Sequence, residues 1–357
     1  MTVMKSRYIL MSLVIALGLL LLLEGVIRVS GLVDIRRTRG WGHSFACCGD
    51  LRPNKTILSL IAPDHPYVVT TNNLGLRSRQ THDNKKNDTF RVLAIGDSFT
   101  FGPYVADDET WPARLEQFTK QKFPVLPIEV LNAGIASYTI TDELSYLQDK
   151  GLALNPDLVI LEVTFNDVAD LRRVHRGLFK RPVDNWKHRA IQTIRNVAYD
   201  HSYLVSALVS LKNAMVTKGV VATKPQGDDD LYEAILYGEH QEFLEAYETS
   251  FVRFVNLLRI QNIPLVVLYY PEASMSSKEP LDRKDVRKIP MFIQSLAAKT
   301  QTPFFDATHA LVDQDPSLIY LLPWNGHPSP AGYYLTAKHL LSFLEPLQLL
   351  PSSYVQQ

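Results

Sequence analysis

The chain has 357 residues, room for one large α/β domain with additions or for two smaller domains. Lys+Arg and Asp+Glu stand at 37 each, so no net field points to nucleic acid or to a strongly acidic substrate. Its two cysteines, Cys47 and Cys48, are adjacent; they cannot make a disulfide framework, and no Cys/His spacing suggests a zinc site.

Lys5 and Arg7 precede an uncharged, largely apolar run from Tyr8 to Leu23, continued past Glu24 by Gly25, Val26 and Ile27. At about 1.5 Å per residue, about 20 such residues cross a roughly 30 Å hydrocarbon core. No clear small-x-small site follows the run. Residues 1–30 therefore read as an uncleaved transmembrane signal anchor, with a cleaved signal peptide as the alternative. The anchor reading puts the rest of the chain in the periplasm or otherwise outside the cytoplasm. Flanking charge does not fix the orientation, because Arg28, Arg36, Arg37 and Arg39 oppose Lys5 and Arg7. Residues 31–88 read as a stalk plus a small β element. They contain a strand-like piece at Tyr67–Thr71, a turn at Asn72-Asn73-Leu74-Gly75 and a polar linker from Ser78 to Asp88.

From Phe90 the pattern alternates strand and helix. Strands are expected at Val92–Ile95, Ile128–Leu131, Leu158–Val163, Pro264–Tyr269 and Pro303–Asp306. Helices are expected from about Asp107, from about Thr141, across Phe243–Leu258 and across Ile289–Lys299. A last helix should be capped by Ser329, start at Pro330 and run to about Leu344. An insertion lies at about 168–236. Its first part is basic, with Arg172, Arg173, Arg176, Lys180, Arg181, Lys187, Arg189 and Arg195. That run is a solvated face, a lid, or a patch facing anionic headgroups or an anionic substrate. Its second part, Tyr203–Met215, reads as an amphipathic helix. The alternation gives a five-stranded parallel sheet with helices on both faces, across 89–350.

The first strand breaks at Gly96-Asp97-Ser98. A tight turn there exposes a serine hydroxyl and frees backbone N–H groups to face an oxyanion; capping of a short helix is the local alternative. Ser98, Gly134, Asn166 and His327 each follow a strand or lie in a loop at the same sheet edge, where open α/β sheets place their sites. His327, held between Gly326 and Pro328, is the candidate base that a serine nucleophile needs. The Ser98 and Gly134 N–H groups and the Asn166 amide can make an oxyanion hole. Locally, Gly134 also reads as a tight turn and Asn166 as an Asx-turn. The loop Gly96–Gly102 lacks the Lys-Ser/Thr ending of a phosphate loop and the spacing of a dinucleotide site.

Gly96-Asp97-Ser98 with Phe99-Thr100, Asn132-Ala133-Gly134, Phe165-Asn166-Asp167 and Gly326-His327-Pro328 resemble the ordered blocks of the SGNH, or GDSL-type, hydrolases, over about Phe90 to Leu344. The resemblance implies a flavodoxin-like three-layer α/β/α fold and esterase, lipase, deacetylase or acyltransferase chemistry. It implies Ser98 as nucleophile, Ser98, Gly134 and Asn166 as the oxyanion hole, His327 as general base and then acid, and no metal or organic cofactor. Two positions depart from the family's pattern. Thr164 stands where a glycine is usual, and Trp324 and Asn325 stand where an aspartate is usual. Asn325 can orient His327 through its amide oxygen; Asp306, at the end of the fifth strand, is the alternative carboxylate, or else a cap. The expected partners are an acylated small molecule, glycan or lipid as substrate and a membrane around the N-terminal helix, with no nucleic acid. The expected activity is ester hydrolysis through an acyl-enzyme. An O-acyltransferase acting on a glycan or lipid, and a catalytically weakened binding module, are the alternatives.

Overall fold

A computed structural model describes residues 2–33, 51–60, 66–78, 85–86, 88–168, 171, 186–217, 241–273, 288–322 and 325–351. Cys47, Cys48, most of the Ser78–Asp88 linker, much of the 168–236 insertion and Trp324 lie outside them. In chain order the elements begin with α1 (Thr2–Ser30), β1 (Lys55–Leu60), β2 (Pro66–Thr71), β3 (Phe90–Gly96), α2 (Ser98–Phe101) and α3 (Trp111–Lys122). Then come β4 (Ile128–Gly134), α4 (Ile140–Tyr146), β5 (Leu158–Thr164), α5 (Trp186–His201), α6 (Tyr203–Thr217) and α7 (Gln241–Ile260). The last are β6 (Leu265–Tyr270), α8 (Lys288–Lys299), β7 (Phe304–Asp306), α9 (Thr308–Leu311), α10 (Pro316–Ile319) and α11 (Pro330–Leu344). The chain divides into two compact units, one with α1, α5 and α6, the other with the large sheet.

In the sheet unit, five parallel strands lie in the order β4-β3-β5-β6-β7. Counted from β3 this is 2-1-3-4-5, the flavodoxin-like order expected above. The strands are apolar on both faces because both faces are covered. Side chains alternate between two cores. Leu93, Ile95, Leu161 and Val267 meet α4, α7 and α8 through Leu144, Phe251, Phe254 and Ile293. Val92, Ala94, Ile160 and Val266 meet α3 and α11 through Trp111, Leu115, Tyr333 and Leu340. On α7 the buried positions Phe243, Tyr247, Phe251, Phe254, Val255 and Leu258 fall at helical spacing. Ser329 caps α11 by accepting from Gly332 N–H at 3.2 Å, and Pro330 follows as its first residue.

The order of strands sets where a site can form. From β3 the chain goes to β4 on one side, then returns to β5 on the other. The carboxyl ends of β3 and β5 flank the point where the winding reverses, the place a ligand crevice opens in such sheets.

Within the other unit, α1 holds a 24-residue apolar stretch, Arg7–Ser30, long enough to cross a membrane. The basic run read above as a solvated face, lid or patch is in part the helix α5.

Candidate active site

Gly96 ends β3, and the chain turns over the buried carboxylate of Glu162 from β5. A Cβ at Gly96 would overlap Thr100 Oγ1 and Glu162 Oε2, so only glycine lets the turn sit there. Thr100 Oγ1 donates to Glu162 Oε2 at 2.8 Å, and the Asp97 N–H also bonds this carboxyl. Asp97 Oδ1 accepts from Phe99 N–H at 2.7 Å and caps α2. The cap and the exposed hydroxyl are thus two adjacent residues, not competing readings of one. Asp97 closes the helix start, and Ser98, the first residue of α2, turns its Oγ outward.

Ser98 Oγ lies 2.9 Å from His327 Nε2. His327 Nδ1 is bonded to Asn325 Oδ1, which also accepts the His327 backbone N–H at 2.9 Å. A backbone N–H can only donate, so the Asn325 atom facing it is the oxygen. That oxygen can only accept from the ring, which puts the imidazole proton on Nδ1 and leaves the Nε2 lone pair facing Ser98. The position usually held by aspartate in the family therefore still selects the tautomer a base requires. Asp306 Oδ1 instead accepts from Thr308 N–H at 2.9 Å, an Asx-turn one residue ahead of the Ala307 N-cap of α9.

The imidazole sits between two rings. Phe99 lies 5.1 Å away, centroid to centroid, and Tyr104 meets it edge-on at 5.8 Å. Burial, with no carboxylate partner on the ring, pushes His327 down to about 4. The ring is therefore held in its neutral form in the physiological range.

Asn166 follows β5. Its Oδ1 accepts from Thr164 Oγ1, which turns Nδ2 toward the serine side, 3.4 Å from Asp97 Oδ2; Ser98 Oγ is 3.4 Å from the same oxygen. The Asp97 carboxylate can only accept, which fixes the flip of the amide, and Thr164, a departure from the family's glycine, donates to the Oδ1 so placed. The turn after β5 is closed by Asp167, whose Oδ2 accepts from Thr164 N–H at 3.0 Å. Gly134 pairs with Gly96 in the sheet, and a Cβ there would overlap the backbone of Thr100 and Phe101. Its N–H, expected to face an oxyanion, donates at 3.0 Å to Asn132 Oδ1, while Asn132 Nδ2 holds Thr100 O at 2.9 Å. Gly134 is required here by close backbone approach, and its N–H must be shared with Asn132 to serve an oxyanion.

Three further groups support the site and were not singled out from the sequence. Glu162 and Glu143 are fully buried, with Asp97 and Asp167 beside them. Among the described residues, both Glu143 oxygens and Glu162 Oε1 have no hydrogen-bond partner. Burial first, then the neighbouring carboxylates, pushes both glutamates well above the usual carboxylate range. The signal for Glu162 was present: one glutamate inside the apolar strand Leu-Val-Ile-Leu-Glu-Val-Thr. Arg77 is fully buried and donates to Phe101 O, Gly102 O, Val105 O and Asp107 Oδ1. It fixes the loop that follows α2. On that loop Tyr104 holds φ of +71°, a conformation a bulky residue adopts at a cost, with its ring between Tyr67 and His327. Among the described residues no group of three or more His, Cys, Asp or Glu could hold a metal ion.

A serine, a tautomer-fixed histidine and an orienting amide thus come together at the reversal point of a flavodoxin-like sheet. The chain belongs to the GDSL-like lipase/acylhydrolase family, whose model matches residues 94–335. No curated protein matches it. Among solved structures it is similar to LAE5, an alpha/beta hydrolase enzyme from the metagenome of Lake Arreo, at 16% identity over 72% of this chain and 96% of that one, with a TM-score of 0.44. It is also similar to Axe2, an acetylxylan esterase from Geobacillus stearothermophilus, at 17% identity over 71% of this chain and 94% of that one, with a TM-score of 0.41.

Proposed function

We propose that the protein is a membrane-anchored serine esterase that hydrolyses an O-acyl bond through an acyl-enzyme. The observation that carries this reading is the 2.9 Å contact between Ser98 Oγ and a His327 Nε2 whose lone pair is aimed at it. Ser98 Oγ attacks the ester carbonyl carbon, and Nε2 takes the hydroxyl proton. The resulting oxyanion is met by the Ser98 N–H, by Asn166 Nδ2 and by a shared Gly134 N–H. Collapse expels the alcohol, which leaves with the proton from Nε2. Water then repeats the sequence on the acyl group and releases the acid. The imidazolium formed in transit gains no charge from Asn325, only the dipole of its amide oxygen.

The test is turnover of short-chain aryl esters by the full chain. Ser98→Ala should lower kcat by at least about 10³-fold, with the fold retained by circular dichroism. A wild-type protein that is folded and turns over no ester would support a binding module in place of an esterase.

The anchor reading is supported by Glu24. Its carboxylate accepts from Ser202 Oγ at 2.9 Å and from the Tyr203 and Leu204 N–H groups at 2.8 Å, capping α6. Arg28 stacks its guanidinium over the Tyr203 ring at 5.1 Å. Removal of α1 as a signal peptide would take this cap away from a helix of the mature chain.

A further inference from the structure

We propose that α5 lies on the surface of the bilayer that α1 crosses, with one apolar stripe inserted among the lipids. The proposal rests on reading α1 as a retained anchor. On α5, Trp186, Ala190, Ile191, Ile194 and Val197 recur at helical spacing, and their side chains are exposed. Trp186 and Ile194 are each 70% exposed, Ile191 62% and Val197 54%. A stripe of that kind on a helix is a surface that something covers.

Its occupant is indicated by where α5 ends. The helix closes at His201, and the next three residues, Ser202, Tyr203 and Leu204, are bonded to Glu24 of α1. Glu24 is the first acidic residue of the chain and ends the uncharged run Tyr8–Leu23. Glu24 lies in the last two turns of the span Arg7–Ser30, from which a carboxylate reaches headgroup depth. The corner between α5 and α6 is therefore pinned at the membrane–water interface, where amphipathic helices lie in the plane.

The composition of α5 fits the same place. It carries Lys187, Arg189 and Arg195 against Asp200, a balance that suits anionic headgroups. Trp186, at its start, is a residue type enriched at the interface, and Lys187 Nζ lies 5.8 Å from the centre of its ring. The stripe is not used against α1, whose residues Leu13, Leu17, Leu20 and Leu21 remain more than half exposed.

The test uses the full chain reconstituted in phosphatidylethanolamine/phosphatidylglycerol vesicles, with and without brominated acyl chains. Bromolipid should quench tryptophan emission, and Trp186→Phe should remove a large part of the quenched component. Equal quenching of wild type and Trp186→Phe overturns the proposal. So does an absence of Trp186 quenching together with self-association that Ile194→Asp abolishes, which would assign the stripe to a second copy of the chain. Alkaline carbonate extraction separates the premise from the proposal. A chain that stays with the membrane while Trp186 is unquenched keeps the anchor and loses the surface helix. A chain released by carbonate loses both.

Discussion

On the serine side, the turn Gly96–Gly102 is gripped from several elements at once. Glu162 bonds it from below, Gly134 lets α2 rest on β4, Asn132 holds Thr100 O, and Arg77 ties down Phe101, Gly102 and Val105. On the histidine side, the imidazole is held by one amide two residues away and by the rings of Phe99 and Tyr104. The serine side is buried and polar, so its bonds are costly to leave unmade. The histidine side is half-buried and neutral, so its partners adjust tautomer and pKa with little effect on folding. Changes on the first side should therefore appear as lost stability, and changes on the second as altered kinetics and pH dependence.

The largest expected effect is that of Arg77→Ala. It removes the guanidinium partner of buried Asp107, which keeps the Thr70 N–H, together with the side-chain donor to three carbonyls, and should cost about 3–5 kcal/mol in urea denaturation. Arg77→Lys should not restore it, because an ammonium cannot reproduce the planar fork. A stability near wild type in either variant would break the contrast.

Next comes Asn325. With Asn325→Ala the ring is free to change tautomer, and kcat should fall by about 10²-fold while the denaturation midpoint hardly moves. Asn325→Asp sharpens the comparison. Its carboxylate favours imidazolium and raises the histidine pKa from about 4, so kcat at pH 8 should not fall while the acid limb of kcat/KM moves up toward neutrality. A large loss of kcat at pH 8 would mean that the amide does more than orient the ring.

The smallest effect concerns the buried glutamates. Glu143 and Glu162 have pKa values raised on folding, so the folded state holds protons that the unfolded chain releases. Their contribution is fully present below the unfolded pKa near 4.5 and is lost as pH rises toward the folded values. Glu143→Gln should then be more stable than wild type at pH 8, with the difference shrinking toward pH 5 in urea denaturation. A difference independent of pH would mean that Glu143 is ionised in the folded protein.

This contrast also explains what the sequence made legible. The five strands announced themselves because each is apolar on both faces, and α11 because Ser329 and Pro330 are local signals. Ser98, Asn166, Asn325 and His327 stand in short blocks that are legible locally, although Ser98 meets His327 across 229 positions and Asn166 meets Asp97 across 69. Gly134 is legible as the residue that ends β4, whereas the reason it must be glycine lies in α2, more than thirty residues away. Glu162 meets Thr100 across 62 positions, and Arg77 meets Val105 across 28. Such contacts have no local period. In α5 the apolar spacing of Ala190, Ile191, Ile194 and Val197 is interleaved with cations, so its composition reads as a basic face.

The most direct measurement is labelling of the full chain with a serine-reactive phosphonate, followed by peptide mass spectrometry. The account predicts a single adduct on Ser98, absent from Ser98→Ala and formed far more slowly in His327→Ala. An adduct on another serine, or labelling of Ser98→Ala at the wild-type rate, would contradict it.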